Sequence, residues 1–172
     1  NRERLTRAAL QAAHDAEILL FTGGLGPTED DLTREAVAAA FQRELVFRQE
    51  LKDELERIFA TFKRKMTENN VRQAFLIEDA EALPNPHGTA PGQFFTDKGR
   101  AVALLPGPPR ELQPMWEEQV APRLRKILPA RVMRTRELRV AGMGESDLDN
   151  LIEPVYSKFT NPVTTVLAAI VD

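Results

Sequence analysis

The chain has 172 residues, of which 42% are apolar and 28% charged, enough to bury a core and form one domain with a small appendage. Its net charge of −3 argues against a general nucleic-acid surface, and no apolar run is long enough to cross a membrane. The chain has no cysteine and two histidines, His14 and His87, which excludes disulfides, Fe–S clusters and zinc sites built from thiolates or several histidines. We expect a cytoplasmic protein that binds neither nucleic acid nor membranes.

Both ends of the sequence favour a piece of a longer protein. The first residues, Asn1-Arg-Glu-Arg-Leu5, lack a methionine and are too charged for a signal peptide. The chain closes inside the apolar run from Val163 to Val171. We therefore expect a chain cut at both ends.

The first half of the chain predicts alternating helices and a strand. Apolar spacing predicts a helix over Glu3–Ala16, and the short run Ile18–Phe21 predicts a strand buried on both faces. After a glycine turn, an alanine-rich helix is predicted over Thr33–Phe41. A further helix is predicted from about Arg48, with a surface pair between Asp53 and Arg57. Its apolar face is predicted to carry Leu51, Leu55, Ile58, Phe59 and Phe62.

The second half repeats the pattern of a strand that ends at a glycine turn. The pattern loosens between Asn70 and Phe95, where the proline- and glycine-rich stretch Pro84–Gly92 predicts a loop. A strand is predicted over Ala101–Leu105. The turn Pro106–Glu111 then opens a helix that reaches about Ile127, with a proline in its first turn. This alternation predicts an α/β fold, a doubly wound and mostly parallel sheet with helices on both faces.

The pattern changes beyond Pro129, where we place a domain boundary. Residues 132–141 alternate like a strand with one wet face, and Gly142 and Gly144 predict a turn. Ser146 is expected to cap a helix over Asp147–Tyr156, and residues 163–171 predict a further strand. We assign 1–129 to an α/β domain and 130–172 to the start of a small α+β domain.

The two glycine turns are the candidate binding loops, because ligands of open parallel sheets lie beyond the carboxyl ends of the strands. Thr22-Gly-Gly-Leu-Gly26 could present backbone N–H groups and a helix N-terminus to a phosphate. It matches neither a Walker loop nor a dinucleotide fingerprint. A plain strand-to-helix turn explains it equally well.

Glu29, Asp30 and Asp31 follow this turn and would repel a phosphate. They could complement the helix dipole, with Thr28 and Asp31 at the spacing of a capping box. Alternatively, one or two of these carboxylates could bind a divalent cation together with phosphate oxygens. Asp30 and Asp31 are adjacent and are expected to have different roles.

Other polar residues are less informative. Asn85 and Thr89 lie on a stiff loop where asparagine often stabilises turns, and His87 is expected to be exposed. Arg72 and Gln73 could contact a phosphate or a base, or could lie on the surface. No serine stands in a nucleophile-elbow setting, so covalent acyl chemistry has no support.

Four ordered motifs resemble the CinA competence/damage-inducible family, whose first domain has the molybdopterin-binding α/β fold. Residues 22–33 resemble T-G-G-L-G-P-T-x-D-D-x-T, and residues 70–74 resemble N-R-K-Q-A with two substitutions. Residues 85–92 match N-P-x-G-T-A-P-G, and residues 105–111 match L-P-G-P-P-x-E. Gly142-Met-Gly-Glu-Ser146 also resembles the start of the family's small middle domain.

The resemblance implies a metal-dependent ADP-ribose pyrophosphatase that releases AMP and ribose 5-phosphate, using Mg²⁺, Mn²⁺ or Co²⁺. It implies that Asp31 is the catalytic or metal-binding carboxylate, with Asp30 second, and that the protein is a homodimer. The substrate-binding residues that it implies are Thr22, Gly23, Gly24, Gly26, Pro27, Thr28, Asn85, Gly88, Thr89, Pro106, Gly107 and Pro108.

The chain also departs from the family's pattern. The family's first strand, a G-T-E-L-L-type loop and an aspartate that would precede Asn1 are absent from this sequence, as is a C-terminal amidohydrolase domain. Two alternatives to the pyrophosphatase therefore stay open. One is a molybdopterin-binding or adenylyltransferase-like protein, and the other is a non-catalytic nucleotide-binding or assembly module.

Overall fold

A computed structural model describes residues 1–129 and 133–168, and the chain divides into two units, Asn1–Ala130 and Arg131–Asp172. The larger unit contains six strands: β1 (Ile18–Thr22), β2 (Leu45–Phe47), β3 (Phe75–Ile77), β4 (Glu81–Leu83), β5 (Gly92–Asp97) and β6 (Arg100–Leu105). Its α-helices are α1 (Arg2–Asp15), α2 (Thr33–Ala40), α3 (Gln49–Thr61), α4 (Pro109–Met115) and α5 (Ala121–Ile127). The assignment of the two units to named domain types stays a prediction.

The main sheet has the strand order β1-β6-β5-β4, and β1 pairs in parallel with β6. This pairing sets Thr22 beside Leu105, so the two glycine turns leave the sheet at the same edge, as the sequence predicts. The expectation of a mostly parallel sheet differs from the structure, because β5 pairs antiparallel with both β4 and β6. The cause is a tight hairpin at Lys98 and Gly99, whose φ values of 47° and 84° suit a two-residue turn. The α/β class is confirmed.

Strand β6 confirms the strand predicted over 101–105, and it is buried on both faces. Val102 and Leu104 pack in a cluster with side chains of α1, β1 and α2. Ala101, Ala103 and Leu105 point to the opposite face and pack with side chains of α4 and α5. Helices therefore cover both faces of the sheet, and alternating side chains of one strand connect the two cores.

Strand β1 is buried on one face only, so the expectation of burial on both faces is wrong. Leu19 is 3% exposed, whereas its neighbour Leu20 is 46% exposed. The reason is that β1 is an end strand of this sheet. Of the face that carries Leu20, only Ile18 reaches a core cluster.

Segment 70–95, whose loose pattern predicts only a loop at 84–92, contains much regular structure. A 3-10 helix spans Glu68–Ala74, and β3 follows it and pairs antiparallel with β2 in a second sheet. Buried Gln93 of β5 joins the two sheets, since its side-chain oxygen accepts from Ile77 N–H at 2.8 Å and its amide nitrogen donates to Phe75 O at 3.2 Å. Strands of three residues are too short to show the alternating pattern that identifies a strand in sequence.

Helix α3 packs through part of its predicted face. Leu51 and Leu55 are buried against Ala74 and Leu76. Phe62 is 61% exposed, because the helix ends one residue earlier and the chain turns away. The apolar stripe is therefore shorter than the periodicity predicts.

The predicted ion pair between Asp53 and Arg57 is absent. Arg57 Nε instead donates to the backbone O of Asp53 at 3.2 Å, and the Asp53 carboxylate accepts from the Gln49 amide at 2.7 Å. The i,i+4 ion pair of this helix joins Lys52 and Glu56 at 2.7 Å. Lys52–Glu56 and Asp53–Arg57 are neighbouring i,i+4 pairs that face different directions on the helix, so one pair can form without the other.

The helix predicted after Pro108 begins at Pro109 and reaches Ile127. It is interrupted by a π-helical turn over Trp116–Val120. Pro114 lies just before this turn and cannot donate the intrahelical hydrogen bond of a normal helix position. The sequence predicts the extent of the helical segment but not this local widening.

The smaller unit differs most from its predicted structure. Residues 133–141 form no strand, and residues 163–168 form none either; residues 132 and 169–171 of the predicted strands lie outside the described residues. Helix α6 spans Glu145–Tyr156, with Gly144 at its N-cap, so Ser146 lies inside the helix and does not cap it. A segment with an alternating pattern forms a β-strand only when it pairs with another strand, and the described residues of this unit contain no such partner.

Candidate functional site

The glycine loop begins where β1 ends. Gly23 and Gly24 have φ values of +80° and +67°, which residues with a Cβ rarely adopt, and they turn the chain away from the sheet toward α2. The Gly23 N–H donates to Leu105 O at 2.9 Å, and the Thr33 N–H donates to Gly24 O at 3.2 Å. The amide of Gly23 is therefore used by the sheet and is not free for a phosphate.

The acidic residues form a tight turn rather than a helix cap. Asp31 Oδ2 accepts from the Thr28 N–H at 2.9 Å, and the Asp31 N–H donates to Thr28 O at 3.1 Å. The Thr28 hydroxyl lies 2.5 Å from Asp31 Oδ2 and 2.6 Å from Asp30 Oδ1, so it can donate to either carboxylate. The N-cap of α2 is Leu32, which makes no side-chain cap bond. We name residues 28–31 the acidic turn.

Asp31 is held as a carboxylate by this turn. Burial alone would raise the pKa of Asp31, but hydrogen bonds from Thr28 and the Gly26 backbone and the nearby charge of Arg34 outweigh it and lower the pKa below its ordinary 3.8. A Cβ at residue 26 would collide with Asp31 Oδ2. Glycine at this position therefore lets the carboxylate approach the loop backbone.

Arg72 clamps the acidic turn from the 3-10 helix. Its Nη1 donates to Thr28 O at 2.7 Å, and its Nη2 donates to Asp31 O at 3.2 Å. The same Nη2 lies 2.9 Å from Glu35 Oε1, and this hydrogen bond raises the pKa of Arg72. Arg72 thus binds the protein's own backbone carbonyls, with a planar fork that a lysine could not reproduce.

Arg34 places a buried positive charge beside the acidic turn. The residue is 1% exposed, and its Nη1 donates to Leu25 O at 3.2 Å. Among the described residues, its Nε and Nη2 have no hydrogen-bond partner, and Nη2 lies 3.9 Å from Glu35 Oε1. Burial lowers the pKa of Arg34, whereas Glu35 and Asp31 raise it. The sequence reasoning missed Arg34 and Glu35, although both follow directly on the glycine motif.

The second loop, Pro106–Glu111, meets the first at its glycine. A Cβ on Gly107 would lie 3.4 Å from the Gly23 Cα, so the two backbones are in close contact. Pro106 is buried, while Gly107 and Pro108 are exposed. The parallel pairing of β1 with β6 therefore brings the two predicted phosphate loops together.

The third loop, residues 84–91, is tied by side chains to the second loop and to the 3-10 helix. The Asn85 amide nitrogen donates to Ala90 O at 2.9 Å and to Glu111 Oε2 at 2.8 Å. The Gln73 amide donates to the Thr89 hydroxyl at 3.0 Å. Because Gln73 adjoins Arg72, one short helix braces both this loop and the acidic turn. The sequence reasoning missed Glu111, which lies inside the quoted L-P-G-P-P-x-E motif.

The predicted site residues therefore lie in three loops joined by hydrogen bonds and close contact. Asn85 is predicted to bind substrate, but both N–H groups of its amide are engaged within the protein. Gly88 is half-buried, and Pro27 is half-buried beside the exposed Thr28. His87 is exposed, as the sequence predicts. The role of each residue in binding or catalysis stays a prediction.

Asp31 and Asp30 are the residues that could hold a divalent cation. Within residues 1–129 and 133–168, no three histidine, aspartate or glutamate side chains are grouped closely enough to bind a metal alone. A Mg²⁺-like ion commonly takes one or two carboxylates and completes its shell with water and phosphate oxygens. Two carboxylates that share one threonine hydroxyl, one of them with a lowered pKa, fit that donor set.

Comparison with known proteins identifies the family. The model of the "Probable molybdopterin binding domain" matches residues 1–126. The chain belongs to this family. This molybdopterin-binding-type chain is 54% identical over 169 residues to a CinA-like protein of Solibacter usitatus, covering 98% of the chain and 41% of the relative. It is 39% identical to a competence-damage inducible protein of Clostridium botulinum (strain Loch Maree / Type A3), covering 98% and 41%.

A solved structure supports the fold of this family member. A crystal structure described as the protein CinA with unknown function, from Thermoplasma acidophilum, matches with a TM-score of 0.64 and 24% identity. The match covers 75% of this chain and 73% of that one. The resemblance to CinA proteins is thus confirmed, while the chain spans about two fifths of the length of the curated relatives named above. In the described part of the chain, no helix has both the length and the apolar content needed to span a membrane.

Proposed function

We propose that this chain hydrolyses the diphosphate of ADP-ribose to AMP and ribose 5-phosphate with a divalent cation. The observation that supports the proposal is the acidic turn, where Asp31 is ionised and lies against the glycine loop that meets Gly107. A diphosphate carries negative charge, so a site made of glycine loops and carboxylates is suited to it only with a cation between the two. The neighbouring loop at 84–91 supplies an uncharged wall.

The residues of the chain have distinct roles in this proposal. Asp31, with Asp30, supplies oxygen ligands for Mg²⁺, Mn²⁺ or Co²⁺, which when bound neutralises phosphate charge and polarises the phosphorus. Backbone amides of the glycine loops, other than those of Gly23 and Gly26, which are already engaged, stabilise negative charge that develops as water attacks phosphorus. Arg34 and Arg72 maintain the ionised acidic turn from behind.

The test follows AMP release from ADP-ribose by the full-length parent protein with each of the three cations. Asp31→Asn preserves the shape of the side chain and removes its charge, so we expect turnover to fall about a hundredfold. The matched control is Asp53→Asn on the exposed side of α3, which should leave turnover unchanged. Cation-independent turnover, or full activity of Asp31→Asn, would contradict the proposal.

The family description favours a second candidate, a molybdopterin-binding function, which an adenylyltransferase-like protein would also have. Calorimetry that compares molybdopterin with ADP-ribose separates it from the first, since tighter molybdopterin binding supports the second candidate. A non-catalytic nucleotide-binding module would instead saturate with ADP-ribose and release no AMP.

A further inference from the structure

The helical segment that follows β6 holds the start of the third loop through two side chains. Glu111 Oε2 accepts a hydrogen bond from the Asn85 amide at 2.8 Å. Further along the segment, the Gln119 amide donates to Pro84 O at 2.8 Å. Two consecutive loop residues are therefore bound by two helical residues that lie eight positions apart in the sequence.

A regular α-helix would not place Glu111 and Gln119 on the same face. At about 100° per residue, side chains eight positions apart point in directions that differ by about 80°. The π-helical turn over Trp116–Val120 lies between the two, and the Ala121 N–H donates to the carbonyl five residues before it. Such a turn accommodates one residue more than an α-helical turn, so it reduces the difference in direction to about 20°.

Two further side chains of this segment point in the same direction. Met115 is buried, and a Cβ on Gly92, directly after the third loop, would collide with its sulfur. Arg123 Nε and Nη2 donate to Glu81 Oε2 at 3.1 and 3.0 Å, on the strand that leads into the loop. In a regular α-helix, side chains four positions apart drift around the axis by about 40° at each step. The π-helical turn therefore keeps this row of side chains against residues 81–92.

We infer that Gln119 is a positioning residue for the third loop, and that the π-helical turn directs its amide to Pro84 O. The hydrogen bond fixes the backbone directly before Asn85, Gly88 and Thr89, the loop residues that the family resemblance implies in substrate binding. Gln119 lies outside all three loops, so it acts on substrate binding and not on the chemical step. The inference rests on the proposed function for the identity of the substrate.

Steady-state kinetics of the full-length parent protein with ADP-ribose test the role of Gln119. Gln119→Ala removes the hydrogen bond to Pro84 O, so KM should rise about fivefold while kcat stays unchanged. The matched control is Gln113→Ala, at an exposed residue of the same helical segment, which should leave KM unchanged. An unchanged KM of Gln119→Ala, or an equal rise in both variants, overturns the inference.

A double variant tests the π-helical turn. In a regular α-helix residue 118, seven positions after Glu111, would lie on the face that Gln119 occupies here. We therefore expect Glu118→Gln combined with Gln119→Ala to keep the raised KM, because the turn directs the exposed residue 118 away from the loop. A KM restored to that of the unaltered protein overturns the role of the turn.

Hydrogen exchange measured by NMR tests the position of the loop without requiring turnover. The His87 N–H donates to Asn85 Oδ1 at 3.2 Å and the Gly88 N–H donates to Asn85 O at 3.5 Å, so both amides report on the loop. Both should exchange about fivefold faster in Gln119→Ala and at an unchanged rate in Gln113→Ala. Unchanged exchange in Gln119→Ala overturns the inference. Faster exchange, together with no hydrolysis of ADP-ribose by the unaltered parent, would refute the proposed function and still support Gln119 as the residue that positions the loop.

Discussion

The two loops that leave the parallel strands differ in how they turn. The glycine loop after β1 uses two consecutive left-handed residues and then folds an acidic turn back onto itself before α2 begins. The loop after β6 enters its helix directly, with Pro109 at the first helical position. The two loops leave the sheet at the same edge, but they differ in backbone conformation and in charge.

The first loop therefore carries the charged groups of the candidate site, whereas the second loop supports its neighbour through a hydrogen bond. In the first loop, the charge of Arg34 lies near the ionised Asp31 carboxylate, and Arg72 binds the Asp31 backbone carbonyl. In the second loop, Glu111 accepts a hydrogen bond from Asn85 and so supports the neighbouring loop. Two loops at one sheet edge can thus contribute a charged centre and a rigid wall, and four experiments test that distinction.

Replacing the first loop's glycine should have the largest effect. Gly24→Ala forces a Cβ into a left-handed residue and against the Thr33 side chain, so we expect a loss of about 2 kcal/mol in the free energy of unfolding. Gly107→Ala is the matched control, because its Cβ meets only ordinary contact with Gly23 and it should cost far less. Urea denaturation measures both, and equal losses would remove the distinction between the loops.

Weakening the Arg72 hydrogen bonds to the acidic turn should have the next largest effect, a faster exchange of backbone amide hydrogens. Arg72→Lys replaces a fork that binds two carbonyls by a single ammonium, so the N–H groups of Thr28 and Asp31 should exchange about tenfold faster. NMR-detected hydrogen exchange measures this. Arg57→Lys, which alters a bond within α3 only, should leave those amides unchanged, and a similar result for both variants would contradict the clamp.

The hydrogen bond between Asn85 and Glu111, which joins the third loop to the second, should contribute less to the free energy of unfolding than Gly24 does. Glu111→Ala leaves one N–H of buried Asn85 without its partner and should lower the free energy of unfolding by about 1 kcal/mol. Glu111→Gln retains an acceptor oxygen and should lose much less. If the two variants are equally stable, the hydrogen bond does not brace the loop.

The smallest effect concerns the pH dependence of stability. Asp31 has a folded-state pKa below its ordinary 3.8, so its charge stabilises the fold above that value, and the contribution is lost as pH falls through the lower folded-state pKa. The difference in stability between the unaltered protein and Asp31→Asn should stay constant from neutral pH to about 5 and shrink progressively below it. A difference that stays the same from neutral pH down to about 2 would show that the pKa is not lowered.

Much of the larger unit could be predicted from sequence, because its signals are local. The apolar run 101–105 predicts a strand, and the prolines after it predict a helix start; both predictions are confirmed. The run 18–21 carries the same signal, yet Leu20 is exposed. Composition alone cannot tell an end strand from a central one, since that depends on which strands pair.

The candidate site follows the same division. The sequence by itself determined the glycine turns, the acidic residues and the order of the motifs, because each is written in consecutive residues. Only the tertiary structure decided that Arg72 binds Thr28 and Asp31, that Glu111 binds Asn85, and that Arg34 is buried beside them. These contacts join residues up to 44 positions apart, and such pairings are fixed by strand order and packing, which no local pattern encodes.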